Sequence, residues 1–249
     1  MDPLAEAPEN IGYSSYHYVW NNPIKFIDPD GRHGESTHID ADGNVIAEYD
    51  DGDNGVYVHD NGTTQSQVDE QRQGGKYTGG EGKYIGKLGG NLGITSIYSN
   101  ILEKHGAEAE GHFGKDPAVL LNWVKRVKQG GDWDLKNNKK TIFGVAWAFD
   151  HSSKGGQNKT NFISNGMEGN AADFGNHRAG YTGTKAGIPE IMQKIGAGVI
   201  KQLKMKNYNS FNPQNWLYGP DKFFTAPHHD RQRDYECNTL GMKQAKGGN

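Results

Sequence analysis

From Leu92 onward apolar residues recur at helical spacing, and this pattern divides the chain. Ile94, Ile97, Tyr98, Ile101 and Leu102 fall on one face of a helix that runs up to His105-Gly106. Asp116-Pro117 opens a second helix, with Asp116 as N-cap and Pro117 at its first position. Val119, Leu120, Trp123, Val124 and Val127 form its apolar face, and Gly130-Gly131 ends it. Thr141–Phe149, TIFGVAWAF, is a short apolar run that fits a strand or a buried helix, because periodicity does not separate the two. Pro189 starts another helix through about Lys204, with Ile191, Ile195, Val199, Ile200 and Leu203 on one side. Its small residues Gly196, Ala197 and Gly198 point to a close helix contact. A last helix is expected from about Asp230 to Ala245, and a long polar loop near Asp150–Ala171.

The first part of the chain has a different texture. Tyr16, Tyr18 and Trp20 alternate as on a strand with one buried face, and Asp28-Pro29-Asp30-Gly31 is strong turn chemistry. Residues 33–60 read as a short β-hairpin region with strands at Val45–Tyr49 and Val56–His59, flanked by turns at Asp42-Gly43-Asn44 and Asp50–Gly55. Residues 61–91 are rich in Gly, Gln and other polar residues with almost no apolar pattern, which predicts a flexible linker. Residues 92–249 then form a mainly helical domain, with an α+β arrangement left open by the Thr141–Phe149 run.

Composition sharpens this division. Hydrophobic residues make up 33% and there are 36 glycines in 249 residues, so part of the chain is expected to be loop. The single cysteine, Cys237, excludes an internal disulfide framework and a cysteine-based zinc cluster. No apolar run is long enough to cross a membrane, and the opening MDPLAEAPEN has neither the basic nor the apolar region of a signal peptide. Residues 1–89 carry 6 Lys and Arg against 16 Asp and Glu, a net of −10; residues 90–249 carry 21 against 14, a net of +7. A basic second half suits an anionic target such as nucleic acid, an anionic lipid head group or a cell-wall precursor.

Three stretches in that half carry candidate chemistry. In Gly130-Gly131-Asp132-Trp133-Asp134-Leu135-Lys136, Asp134 either faces a cleft or closes a turn after the helix. Asp173-Phe174-Gly175-Asn176-His177-Arg178 runs on into Gly180, Thr182 and Gly183. Its glycines either expose backbone N–H groups to an anion or let one backbone pack closely on another. His177 and Arg178 bring a proton-transfer group beside a fixed cation. Cleaving RNA through its own 2′-hydroxyl needs a base, an acid and a cation for the phosphate, and no metal. Finally, His228-His229-Asp230-Arg231-Gln232-Arg233-Asp234 concentrates such groups, with Asp230 and Asp234 four apart on one helical face. Neighbouring histidines point apart and no HExxH accompanies them, so the sequence shows no metal site; a divalent metal stays compatible with the acids.

Two resemblances add to this reading. DPLAEAP followed by YSSYHYVWNNPIKFIDPDGR, residues 1–32, resembles the end of the Rhs repeat-associated core. The resemblance implies a shell of β-hairpin repeats ahead of a variable toxin domain, and hence that this chain is a C-terminal fragment of shell end, linker and toxin. It also implies a self-cleavage seam near Asp28 and Asp30. Pro23, Asp28, Pro29 and Gly31 match that seam, while Arg32 stands where members carry an apolar residue.

Across roughly residues 116–245, GGDWDLK, DFGNHRAGYTGTKAG and YGPDKFF…HHDRQRDYECNTLGM occur in the order found in the bacterial polymorphic toxin type 44 family, which they resemble. That resemblance implies a nuclease acting on RNA, delivered by a specialised secretion system into the target cell's cytoplasm and neutralised by a cognate immunity protein. By position it implies catalytic roles for Asp134, Asp173, His177, Arg178, Asp230 and Asp234. His229 is an alternative base, because His177-Arg178 stands where the family pattern has an aromatic residue and then His. Lys136, His228, Arg231 and Arg233 are the expected substrate contacts. Two other readings remain: a cell-wall hydrolase working through paired carboxylates, and a non-enzymatic binding toxin. The chain lacks the strongly amphipathic cationic helix that membrane disruption would use.

Overall fold

The computed structural model describes residues 35–73, 76–110, 116, 118–152, 158–194 and 232–247. The fold is α+β, with helices and a seven-stranded mixed sheet. The chain divides into two compact units whose boundaries fall at Tyr98/Ser99, Leu135/Lys136 and Asn170/Ala171.

The sheet belongs to the first unit. β1 (Glu35–Ile39) and β2 (Val45–Asp50) form an antiparallel hairpin. Asp40 closes its turn, one carboxylate oxygen accepting from the backbone N–H groups of Asp42 and Asn44 at 2.9 and 2.8 Å. β3 (Gly55–Val58) does not pair with β2 as a hairpin would; it lies parallel to β1 on the other side. β1 carries Ser36, Thr37 and His38, all fully buried, and this polar composition hides the strand from a hydrophobic-pattern reading.

Residues 61–91, expected as a linker, are folded. α1 (Gln65–Glu70) starts with a capping box between Thr64 and Gln67 and anchors through the fully buried Val68. β4 (Arg72–Gln73) and β5 (Lys76–Tyr77) pair as a small ribbon. β6 (Lys83–Lys87) then joins β3, and β7 (Asn91–Gly93) joins β6. Strands this short escape periodicity because each offers only one or two inward positions.

Past β7 the chain enters α2 (Thr95–Ala109), which crosses the boundary between the units. The expected mainly helical region from residue 92 onward also returns to the sheet. β8 (Asn161–Ser164) lies parallel to β7, and β9 (Met167–Gly169) pairs with β8 through Asn165-Gly166. Both turn residues have positive φ, 48° and 79°, the requirement of a tight two-residue hairpin turn. The sheet order is β2-β1-β3-β6-β7-β8-β9.

After α3 (Ala118–Val127), the apolar run that fitted either a strand or a buried helix is a helix. It is α4 (Ile142–Asp150), with Thr141 as N-cap. Its first five residues are all buried, so it shows no polar face for a 3.6-residue period to reveal. Phe143 packs on Phe162 of β8 at 4.7 Å between ring centroids and on Tyr98 at 6.2 Å.

The second unit is helical. Among its described helices, α5 (Ala171–Lys185) and α6 (Gln232–Ala245) form the closest pair. Trp133, Ala109, Ala186 and Ile188 form a core against Val119, Leu120, Trp123 and Val127 of α3. The helix expected to start at Pro189 is described only through Lys194. The charge contrast persists between these units but is smaller than between the two parts of the chain, because Lys136–Asn170 brings basic residues into the sheet unit. The sheet unit carries 11 Lys and Arg against 18 Asp and Glu, the helical unit 16 against 12.

Candidate functional site

The DFGNHR stretch is the body of α5, not a glycine loop ahead of a helix. Its glycines therefore present no anion nest; one of them, with a glycine of α6, sets the packing distance. A Cβ on Gly180 would come within 2.0 Å of the Asn238 carbonyl oxygen of α6. A Cβ on Gly241 of α6 would come within 1.8 Å of the His177 carbonyl oxygen. The two helices thus touch backbone to backbone, which only glycine permits.

This close crossing brings together two motifs about 60 residues apart. Asp173, in the first turn of α5, accepts from Arg233 Nε at 3.2 Å. Asp234, in the first turn of α6, accepts from Asn176 Nδ2 at 3.0 Å. Asn238 reaches back to the Asn176 carbonyl at 3.4 Å, and Cys237 Sγ lies 3.7 Å from the Asp173 carboxylate. Each carboxylate sits where a helix N-terminus favours negative charge. Arg233 keeps 54% of its side chain exposed although Asp173 holds its Nε. It is the exposed cation of this group.

His177 and Arg178 go the other way. They are 5% and 1% exposed, inside the helical unit. Burial pushes the His177 imidazole down to about 4, so the ring is neutral at pH 7. Arg178 is close enough to His105 to depress its titration, second to burial, which together with Lys104 and Arg126 takes His105 down to about 3. The neighbouring base and cation expected from the sequence are thus both interior groups of α5. Cys237 is likewise inert, burial and then the Asp173 charge pushing its thiol up to about 12.

Asp134 closes the turn after α3. Its carboxylate accepts from the Gly130 N–H at 2.8 Å, and its own N–H donates to the Gly131 carbonyl at 2.9 Å. Gly130 has φ 76°, and a Cβ on Gly131 would come within 2.3 Å of the Arg126 carbonyl oxygen, which together explain the double glycine. The turn presses Trp133 inward, where its ring stacks on His105 at 4.9 Å and meets the Arg126 guanidinium at 4.7 Å. Lys136 belongs to the sheet unit and lies 5.3 Å from the Trp147 ring.

Asp28 and Asp30, and likewise His228, His229, Asp230 and Arg231, lie outside the described residues. The sequence reading did not single out Asn176 or Asn238, although both stand inside the quoted motifs; an amide carries no titration signal to mark it. Among the described residues no three His, Cys, Asp or Glu side chains come together as metal ligands would. Comparison with protein-family models, with characterised proteins and with solved structures finds no match to this chain.

Proposed function

We propose that the chain is the toxic end of an Rhs-type polymorphic toxin and that its helical unit is a nuclease acting on RNA inside a competing bacterium. The observation that carries this reading is the meeting of the first turns of α5 and α6. There Asp173, Asn176, Arg233 and Asp234 assemble from two separate motifs around one exposed cation. The excess of Lys and Arg in the helical unit supports an anionic substrate.

In this reading Arg233 neutralises the phosphate and Asp173 is the positioning residue that aims it. His229, just ahead of α6 in the sequence, takes the proton of the 2′-hydroxyl as its oxygen attacks phosphorus. The bond from phosphorus to the 5′-oxygen breaks, and a second proton donor, His228 or Asp230, protonates the departing oxygen. The products are a 2′,3′-cyclic phosphate and a free 5′-hydroxyl. A cognate immunity protein would protect the producing cell by covering the same surface.

The test is expression of the whole chain in a bacterium, with and without a periplasmic signal, while total RNA is followed on a gel. RNA loss before growth arrest in the cytoplasmic form is the expected result, with R233A folded and at least about 100-fold slower on RNA. Intact RNA with lysis only in the periplasmic form would replace the nuclease with a cell-wall hydrolase. Toxicity untouched by R233A and H229A together would point to a binding toxin.

A further inference from the structure

The sheet unit holds a second group of titratable side chains that the nuclease reading does not use. His38 of β1 and His59, just past β3, are 0% and 3% exposed, with His38 Nδ1 2.8 Å from His59 Nε2. Their outer nitrogens, Nε2 of His38 and Nδ1 of His59, are buried with no hydrogen-bond partner. The pair bridges the parallel seam of β1 and β3, where the His59 N–H also donates to the Ile39 carbonyl at 2.8 Å.

Every element around the pair contributes a neutral aromatic face or a charge. Tyr57 of β3 stacks on His38 at 5.2 Å; Tyr49 of β2 and Tyr77 of β5 meet it edge-on at 5.4 and 4.6 Å. Asp53 accepts from the Tyr57 hydroxyl at 2.7 Å, and Asp69 of α1 from that of Tyr49 at 2.7 Å. Arg72 of β4 lies over the Tyr49 ring at 3.6 Å and faces Asp51. Its positive charge opposes protonation of His38, while Asp53 favours it more weakly. Asp60 and Glu81 favour protonation of His59.

A contact of 2.8 Å between two imidazole nitrogens requires one N–H and one lone pair. Two neutral rings satisfy it in either tautomer. One added proton places a cation among tyrosines with a further buried N–H and no acceptor. Two added protons set N–H against N–H and charge against charge, which the contact cannot hold. We infer that the His38–His59 pair is an acid-release latch on the β1–β3 seam: it holds the sheet unit closed at neutral pH and frees the seam when both rings take up protons.

The sign agrees. Burial lowers the affinity of both rings for protons, His38 to about 4, so protons bind preferentially to the opened seam. The stability this confers is complete above the unfolded histidine value near 6.5 and is lost as pH falls from there toward about 4. The inference concerns the sheet unit alone and stands whether or not the helical unit is a nuclease.

The experiment is hydrogen exchange of the full chain at pH 7 and pH 5, expressed as protection factors so that intrinsic exchange cancels. Amides of Glu35–Ile39 and Gly55–Val58 should lose protection by roughly 20-fold for each histidine that binds its proton only when the seam is open. H59Q and H38Q, which keep a hydrogen-bonding group but cannot titrate, should each reduce that loss while α5 amides keep the acid response of wild type. An undiminished loss in both variants overturns the latch. Where neither variant folds, ring 15N shifts of the wild type decide. Rings that stay neutral until the seam amides exchange support it, and rings that protonate near 6.5 with the seam still protected overturn it.

Discussion

On α5 the neighbouring His177 and Arg178 are 5% and 1% exposed, so truncating either leaves a hole in the helical unit. Both H177A and R178A should therefore lower unfolding free energy by about 2–4 kcal/mol, and any loss of activity should follow loss of fold. Arg233 is the opposite case. More than half of its side chain faces water, and its ion pair with Asp173 is worth at most about 1 kcal/mol after solvent screening. R233A should melt close to wild type and still fail on RNA. Circular-dichroism melts of the three variants beside their RNA cleavage would check this. A fully folded but inactive H177A would return His177 to the chemistry and sink the assignment of its role as packing. The reason the sequence misleads here is physical: a His-Arg pair reads as reactive chemistry, yet successive residues on a helix lie about 100° apart and burial is decided by the partner helix.

At the scale of elements, the α5–α6 contact rests on glycine. G180A and G241A each force a Cβ to within about 2 Å of a facing carbonyl oxygen, a backbone atom that no side-chain rotation can move away. Each should lower the melting temperature of the helical unit, at a cost of at least about 1–3 kcal/mol. Gly175, on the same helix, meets nothing within 4 Å, so G175A should stabilise by about 0.5–1 kcal/mol through helix propensity. Thermal melts of the three variants would separate packing glycines from a merely helical one; equal effects at Gly175 and Gly180 would contradict the close crossing. The alternative of backbone packing was open in the sequence, and the helices α2 and α3 were visible from their periodic apolar faces. The strands expected at Val45–Tyr49 and Val56–His59 are β2 and β3; what remained hidden was the rest of the sheet. β1 is buried but polar, and residues 61–91 build strands of two to five residues whose inward positions are too few to form a pattern. The candidate site was legible to the extent that Asp173, Arg233 and Asp234 were all singled out. Their meeting through Asn176 depends on two glycines 61 positions apart, and no local signal carries that.

For the whole molecule, both units share one electrostatic weakness. His38 and His59 lie in the sheet unit and His105 and His177 in the helical unit, and burial lowers the proton affinity of all four. The unfolded chain binds protons at these positions near 6.5, so it gains protons that the folded chain refuses as pH falls below that value. Stability should thus be highest above about pH 7 and decline toward pH 4, by up to about 1.4 kcal/mol per pH unit for each histidine kept neutral. Glu190, whose carboxylate is held below its ordinary value by hydrogen bonds from Lys194 and Lys246, adds a loss of the same sign only below about 4.5. Urea midpoints at pH 7, 6 and 5 separate the two limbs, because the carboxylate contributes little in that window. H105N should remove one histidine's share of the slope for α5 and α6 and leave the decline of the β1–β3 seam intact. A midpoint that does not move between pH 7 and pH 5 would mean that these rings reach solvent in the folded chain, and the buried placements of His177 and His105 would fall with it.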